Sequence, residues 1–230
     1  MKRRIDENLK FNENKLIKRN DKITIVVPTK NEEKYIWNLL KSLEKAKYIF
    51  QNLEVVVVDY NSSDKTVEIA KRNSAKIIES DRPGVGYATF VGIENAKGDI
   101  IIRCDADTIL NPYALFIAVD KLRNYKIVNL GHIYYDAGFK ENLMAFLFDK
   151  HWREPYHTTG HFIAFRKEIT EEVNFNPELK YDDDWDFGYR AYKILGIQAF
   201  YYNYWICNFV SARRIKTTGF FRYMLGKRRR

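Results

Sequence analysis

The chain has 230 residues, 46% of them apolar, a net charge of +9 and two cysteines. That length suits one sizeable domain, and the apolar content excludes a disordered chain. Cys104 and Cys207 are too few and too distant for a disulfide scaffold or a thiolate metal site, which leaves reduced core thiols. The charge sits at the ends. Residues 1–22 carry eight Lys/Arg and four Asp/Glu, residues 213–230 carry eight Lys/Arg and no acid, and the stretch between carries 23 basic and 26 acidic residues. Such a balance argues against a basic globular nucleic-acid binder, so no nucleic-acid partner is expected.

Residues 1–20 read as a polar, charged N-terminal arm. The start, Met1-Lys2-Arg3-Arg4-Ile5-Asp6-Glu7, turns charged where a secretory signal would turn apolar. Ile23-Thr24-Ile25-Val26-Val27 is a β-branched run, the mark of a strand buried on both faces, and Pro28 is expected to stop it. A helix opening at Asn31-Glu32-Glu33 puts Ile36, Leu40 and Leu43 on one face. Residues 55–58 form a second buried strand, ending in the polar turn Asp59-Tyr60-Asn61-Ser62-Ser63-Asp64. A helix with Val67 and Ile69, a short strand at Ile77-Ile78, and a helix after Gly84-Val85-Gly86 follow. Ile100-Ile101-Ile102 is the fourth strand, ending at Asp105. Asn111-Pro112 pairs an N-cap with proline at the first helical position.

Alternation of strand and helix through about residue 125 predicts an α/β fold with a parallel sheet and helices on both faces. Ligands of such sheets sit at the carboxyl ends of the strands. The later chain predicts helices over 141–149 and 184–195, the second stopped by Gly196, and strands over 160–165 and 197–202. Aromatics crowd this half, Trp152, Tyr156, Trp185 and Trp205 among them, and are expected in the core or on a cleft wall. No run reaches the ~18 apolar residues of a membrane span.

Asp105-Ala106-Asp107 follows a fully apolar strand. Two carboxylates so spaced can hold a hard divalent cation and leave coordination sites for phosphate oxygens. The plainer alternative is an acidic turn capping the next helix. Polar groups at two other strand ends, Thr29 to Glu32 and Asp59 to Asp64, favour the cation.

Ile25-Val26-Val27-Pro28-Thr29-Lys30-Asn31-Glu32-Glu33, Val57-Val58-Asp59-Tyr60-Asn61-Ser62-Ser63-Asp64 and the stretch 92–107 together resemble the GT-A nucleotide-sugar glycosyltransferases of inverting family 2, over roughly residues 22–200. The resemblance implies a single GT-A domain at 21–212, Rossmann-like and mostly parallel, with a nucleotide-binding half at 21–130, an acceptor half at 131–212 and a basic tail at 213–230. It implies a nucleotide-diphosphate sugar donor and a glycan, lipid-linked or polyprenyl-phosphate acceptor. Pro28, Thr29, Glu32, Asp59, Arg82 and Asp105 match nucleotide-contacting positions. Asp107, with Asp105, matches the ligands of Mg²⁺ or Mn²⁺. The family has Asp and Gly where this chain has Tyr60 and Asn61.

Tyr181-Asp182-Asp183-Asp184-Trp185-Asp186 packs four acids into five residues, which repel unless function or a cation offsets them. The resemblance makes Asp184 the general base for the acceptor hydroxyl and Asp183 its orienter, with Phe187 and Arg190 at family spacing. His161 is expected near the donor, His132 as structural, and Arg213 and Arg214 over the diphosphate. The tail, with Phe220-Phe221 and Lys227-Arg228-Arg229-Arg230, suits an anionic membrane surface. A cytoplasmic protein is expected, peripheral on the membrane where that tail engages one. Two other readings compete. A nucleotidyltransferase would place a Gly-rich loop where Pro28-Thr29-Lys30 stands. A non-catalytic carbohydrate- or membrane-binding module would have no need of Asp59, Asp107 and Asp184 together.

Overall fold

The computed structural model describes residues 19–151 and 153–219. Trp152, the arm up to residue 18 and the tail beyond residue 219 lie outside the described residues.

Strand β1 (Arg19–Thr29) pairs in parallel with β2 (Phe50–Asp59) on one side and β4 (Ile100–Arg103) on the other. Ile23, Ile25 and Val27 enter one core layer and Val26 the opposite one, the period of two that a strand buried on both faces requires. Pro28 does not stop β1, contrary to expectation. Pairing to β4 ends at Val26, which leaves an open edge beside Pro28 where a missing N–H costs no ladder bond. Helix α1 (Ile36–Lys47) buries Ile36, Leu39, Leu40 and Leu43 against this sheet. Each such side chain contributes about 1.5–3 kcal/mol through lost apolar hydration.

The chain continues through α2 (Thr66–Arg72), β3 (Lys76–Glu79), α3 (Val85–Glu94), β5 (Thr108–Ile109) and α4 (Pro112–Lys121). Asn111 caps α4 as expected, its side chain accepting from the Tyr113 N–H. The second half adds β6 (Ile127–Tyr134), α5 (Phe139–His151), β7 (Ile163–Arg166), α6 (Asp183–Leu195), β8 (Phe200–Val210) and α7 (Arg213–Thr218). Gly196, at φ 75°, ends α6.

The eight strands form one sheet in the order β3-β2-β1-β4-β7-β6-β8-β5. Four of its seven pairings are parallel, and β7 runs against both β4 and β6. The α/β sheet is thus mostly parallel, as in GT-A folds. Because β1 sends its crossover to β2 and has β4 on its other side, the strand order reverses there, and a crevice opens beyond the ends of β1 and β4.

Candidate active site

Two clefts open at that switch point. The larger, about 570 Å³, has Pro28, Thr29 and Glu32 on one wall and Arg103, Asp105 and Asp183 on the other. The smaller, about 120 Å³, lies against β6, α5 and α7 and is lined by Asp107, His132, Phe148, Arg153 and His161. Asp105, Asp184 and Arg214 face both.

The wall of the larger cleft at residues 28–32 is two loops fastened together. Asn31 and Asn61 take positive φ (55° and 45°), a conformation that asparagine tolerates. Asn31 Oδ1 accepts from the Ser63 N–H (2.9 Å), and the Glu32 N–H donates to Thr66 Oγ1 (2.7 Å). Asp59 is buried and accepts from Thr29 Oγ1 (3.0 Å) and from the Ser62 N–H (2.9 Å), so it organises these loops from behind, and Tyr60 takes the cleft wall. Arg82 is also set back: its Nη2 meets Glu178 (3.1 Å) and its guanidinium lies over Tyr87 (4.0 Å).

Asp105 and Asp107 leave the end of β4 as the spacing predicts. Burial, and then the charge of Asp105, push Asp107 up to about 6, while Arg213 pulls the other way. Arg213 crosses the cleft from α7. It holds Glu32 through two bonds of 2.7 Å and reaches Asp107 Oδ2 with Nε at 2.8 Å.

Asp183 and Asp184 open α6, behind Asp182 in a left-handed conformation (φ 57°). Asp183 is buried and accepts from Thr89 Oγ1 (3.1 Å); burial pushes it up to about 6 against the pull of Arg103. Asp184 Oδ2 accepts from the Gly160 N–H (2.6 Å) and Oδ1 from its neighbour Trp185 (2.9 Å). Two backbone donors thus fix this carboxylate at the junction of the clefts.

One residue that sequence reasoning passed over ties these parts together. Arg103 is fully buried at the end of β4. Burial alone would disfavour its charge, but Asp105, Asp183 and Asp184 hold the guanidinium above the usual arginine range. Nη1 meets Asp105 Oδ1 (2.5 Å) and the Gly160 carbonyl, and Nη2 faces Asp183 Oδ1 (3.5 Å). The available signal was a cation directly after three isoleucines in a buried strand.

In the smaller pocket, the His161 ring lies 4.7 Å from that of His132, and burial pushes His161 well below its ordinary range, leaving it neutral. His132, expected to be structural, is on the pocket wall and faces Asp149, which also pairs with Arg153 at 3.0 Å.

The family model described as "Glycosyl transferase family 2" matches residues 24–174, more than half the chain, which include the loops after β1 and β2, the Asp105-Ala106-Asp107 end of β4 and part of the lining of the smaller pocket, and end before Asp183, Asp184, Arg213 and Arg214. The chain belongs to glycosyl transferase family 2.

Among relatives, a dolichol-phosphate mannosyltransferase from Pyrococcus furiosus is 28% identical over 174 residues, which are 68% of this chain and 49% of that protein. The poly(ribitol-phosphate) beta-N-acetylglucosaminyltransferase TarS of Staphylococcus aureus is 35% identical over 100 residues, 41% of this chain and 18% of that protein. This family-2 chain therefore spans at most about half the length of these relatives. Glucosyl-3-phosphoglycerate synthase from Mycobacterium tuberculosis, solved with Mn²⁺, UDP-glucose and phosphoglyceric acid, matches with a TM-score of 0.62 at 22% identity, over 80% of this chain and 69% of that one. That likeness shows the GT-A fold.

The donor set at Asp105 and Asp107 fits a divalent cation. Two neighbouring carboxylates, one disfavoured as an anion by burial and by the other's charge, gain from a hard cation. Among the described residues no group of three or more His, Cys, Asp or Glu side chains converges as a metal site. Nor, among the described residues, is any helix long and apolar enough to cross a membrane.

Proposed function

We propose that this chain transfers a sugar, with inversion, from a nucleoside-diphosphate donor in the larger cleft to an acceptor entering through the smaller pocket. The observation that carries the reading is the placement of Asp184: its carboxylate is held by two backbone N–H groups where both clefts meet. Each oxygen keeps a lone pair, so Asp184 takes the proton of an acceptor hydroxyl as that oxygen attacks the anomeric carbon. Asp183 and the Gly160 segment, both tied to Arg103, hold it in position.

Asp105 and Asp107 would hold Mg²⁺ or Mn²⁺, which when bound supplies positive charge to the leaving diphosphate. Arg213 and Arg214, on the cleft wall, add guanidinium donors suited to phosphate oxygens. The acceptor belongs to the glycan or lipid-linked classes, the company the relatives keep.

Nucleotide release from a panel of UDP-, GDP- and dTDP-sugars, with Mn²⁺ or Mg²⁺, tests the reading. Asp184→Asn should lower turnover about 10²–10⁴-fold without weakening nucleotide binding. A hydroxyl acceptor makes that loss large, whereas a phosphate acceptor, already deprotonated, makes it small. Full activity of Asp107→Ala with either cation would remove the metal from the account.

A further inference from the structure

Helix α5 is apolar around most of its circumference, yet only Ala145 and Asp149 of it are buried. Phe139, Leu143 and Leu147 recur every four residues and so stand on one face, exposed by 83%, 42% and 40%. Phe146 extends this face toward β8, its ring 5.2 Å from that of Trp205, itself 70% exposed. A soluble surface does not ordinarily carry such a run uncovered.

Two observations say what covers it. The first is charge. Exposed Lys140 and Lys150 stand at the two ends of the stripe, and α7, whose Ile215 shares a small apolar cluster with Ala145 of α5, carries exposed Arg214 and Lys216. From Phe187 to the last residue the sequence holds ten Lys/Arg and no Asp/Glu. The second is position. The same helix that shows Leu143 and Leu147 to the outside sends Phe148 into the wall of the smaller pocket, and Arg214 and Ile215 of α7 line that pocket as well. The helix that carries the apolar stripe, Lys140 and Lys150 therefore forms one edge of the pocket, which Arg214 lines as well.

We infer that this edge docks on an anionic bilayer, with the α5 stripe in the interface and the basic residues against the headgroups, so that the smaller pocket receives a lipid-borne acceptor. Apolar burial supplies the short-range attraction and the cations the long-range one, and neither alone gives durable binding. The assignment of the acceptor rests on the transferase reading, whereas the docking surface does not.

The test is co-sedimentation of the full 230-residue chain with phosphatidylcholine vesicles and with vesicles also containing phosphatidylglycerol. The comparison protein is Phe139→Gln/Leu143→Gln/Leu147→Gln, whose changes lie on exposed helical positions; a second variant, Lys140→Gln/Lys150→Gln, separates charge from apolar contact. Thermal melts and sedimentation velocity accompany each. The expected result is binding to the anionic vesicles that falls at least tenfold in the triple variant at unchanged melting temperature, and several-fold in the lysine variant. Three results overturn the inference: no binding to anionic vesicles, equal binding by the triple variant, or a wild-type dimer that the triple variant dissolves while vesicle binding is absent. Donor turnover in solution is scored separately. Absence of vesicle binding by the wild-type chain with turnover intact removes this inference alone, and wild-type binding without turnover on any donor removes the transferase reading alone.

Discussion

Arg103→Met keeps the length of a side chain at the centre of the site and removes its charge. Arg103 and Asp183 are each 2% exposed and face each other at 3.5 Å, and the same guanidinium meets Asp105 at 2.5 Å. Removing one member of a buried ion pair strands the other, at a cost of about 3–5 kcal/mol. Against a total stability of about 5–15 kcal/mol this is a large share. The cost should depend on pH. Asp183 at about 6 already lies above its ordinary value of 3.8, so its contribution is fully present below 3.8 and is lost as pH rises through about 6. Without Arg103 the folded-state value moves higher still, and the variant's penalty grows from pH 5 to pH 8. Asp183→Asn in the same chain removes the stranded carboxylate and should recover about 2 kcal/mol at pH 8. Urea unfolding of the wild type, both single variants and the double variant at the two pH values measures this. An equal penalty at both pH values, unrelieved by Asp183→Asn, would refute the reasoning.

Gly160→Ala places a Cβ against the Arg103 guanidinium, beside the N–H that holds Asp184. Overpacking of this kind costs about 1–3 kcal/mol, seen as a melting temperature lower by several degrees, and transfer should fall further than stability accounts for. At Asp149 burial alone would raise the pKa, but Arg153 and then His132 hold it at about 2. Its contribution, about 2 kcal/mol, is present above pH 3.8 and lost as pH falls through about 2. Asp149→Asn should flatten the acid limb of a stability–pH curve over that window, and an unchanged limb would show the buried pair to be without effect.

Much of the first half of the fold was legible because its strands are continuous β-branched runs whose ends are punctuated by polar clusters. Asp105, Asp107, Asp183 and Asp184 fall where spacing placed them, on the end of β4 and the start of α6. β6 escaped notice because Asn129, Gly131 and His132 interrupt its apolar pattern. Asn129 is spent on the Pro155 carbonyl (2.9 Å) and His132 on the pocket wall, so site chemistry masked the strand. β8 was expected to end near residue 202 and runs to Val210, since its aromatic and amide mix reads as neither core nor surface. The antiparallel run of β7 is invisible in hydropathy, which reports burial and not direction. Arg213 and Arg214 lay in what read as a basic tail. Only the folded chain shows the bond from Arg213 to Glu32, 181 positions earlier in sequence.

The most direct measurement is the anomeric configuration of the product, followed by proton NMR from the first turnovers on an α-linked nucleoside-diphosphate sugar. With Asp184 as base for a single displacement, the product appears first as the β anomer, and the Asp184→Asn variant forms it at least a hundredfold more slowly. A first-formed α product, or an Asp184→Asn variant as fast as the wild type on a hydroxyl acceptor, would contradict the account.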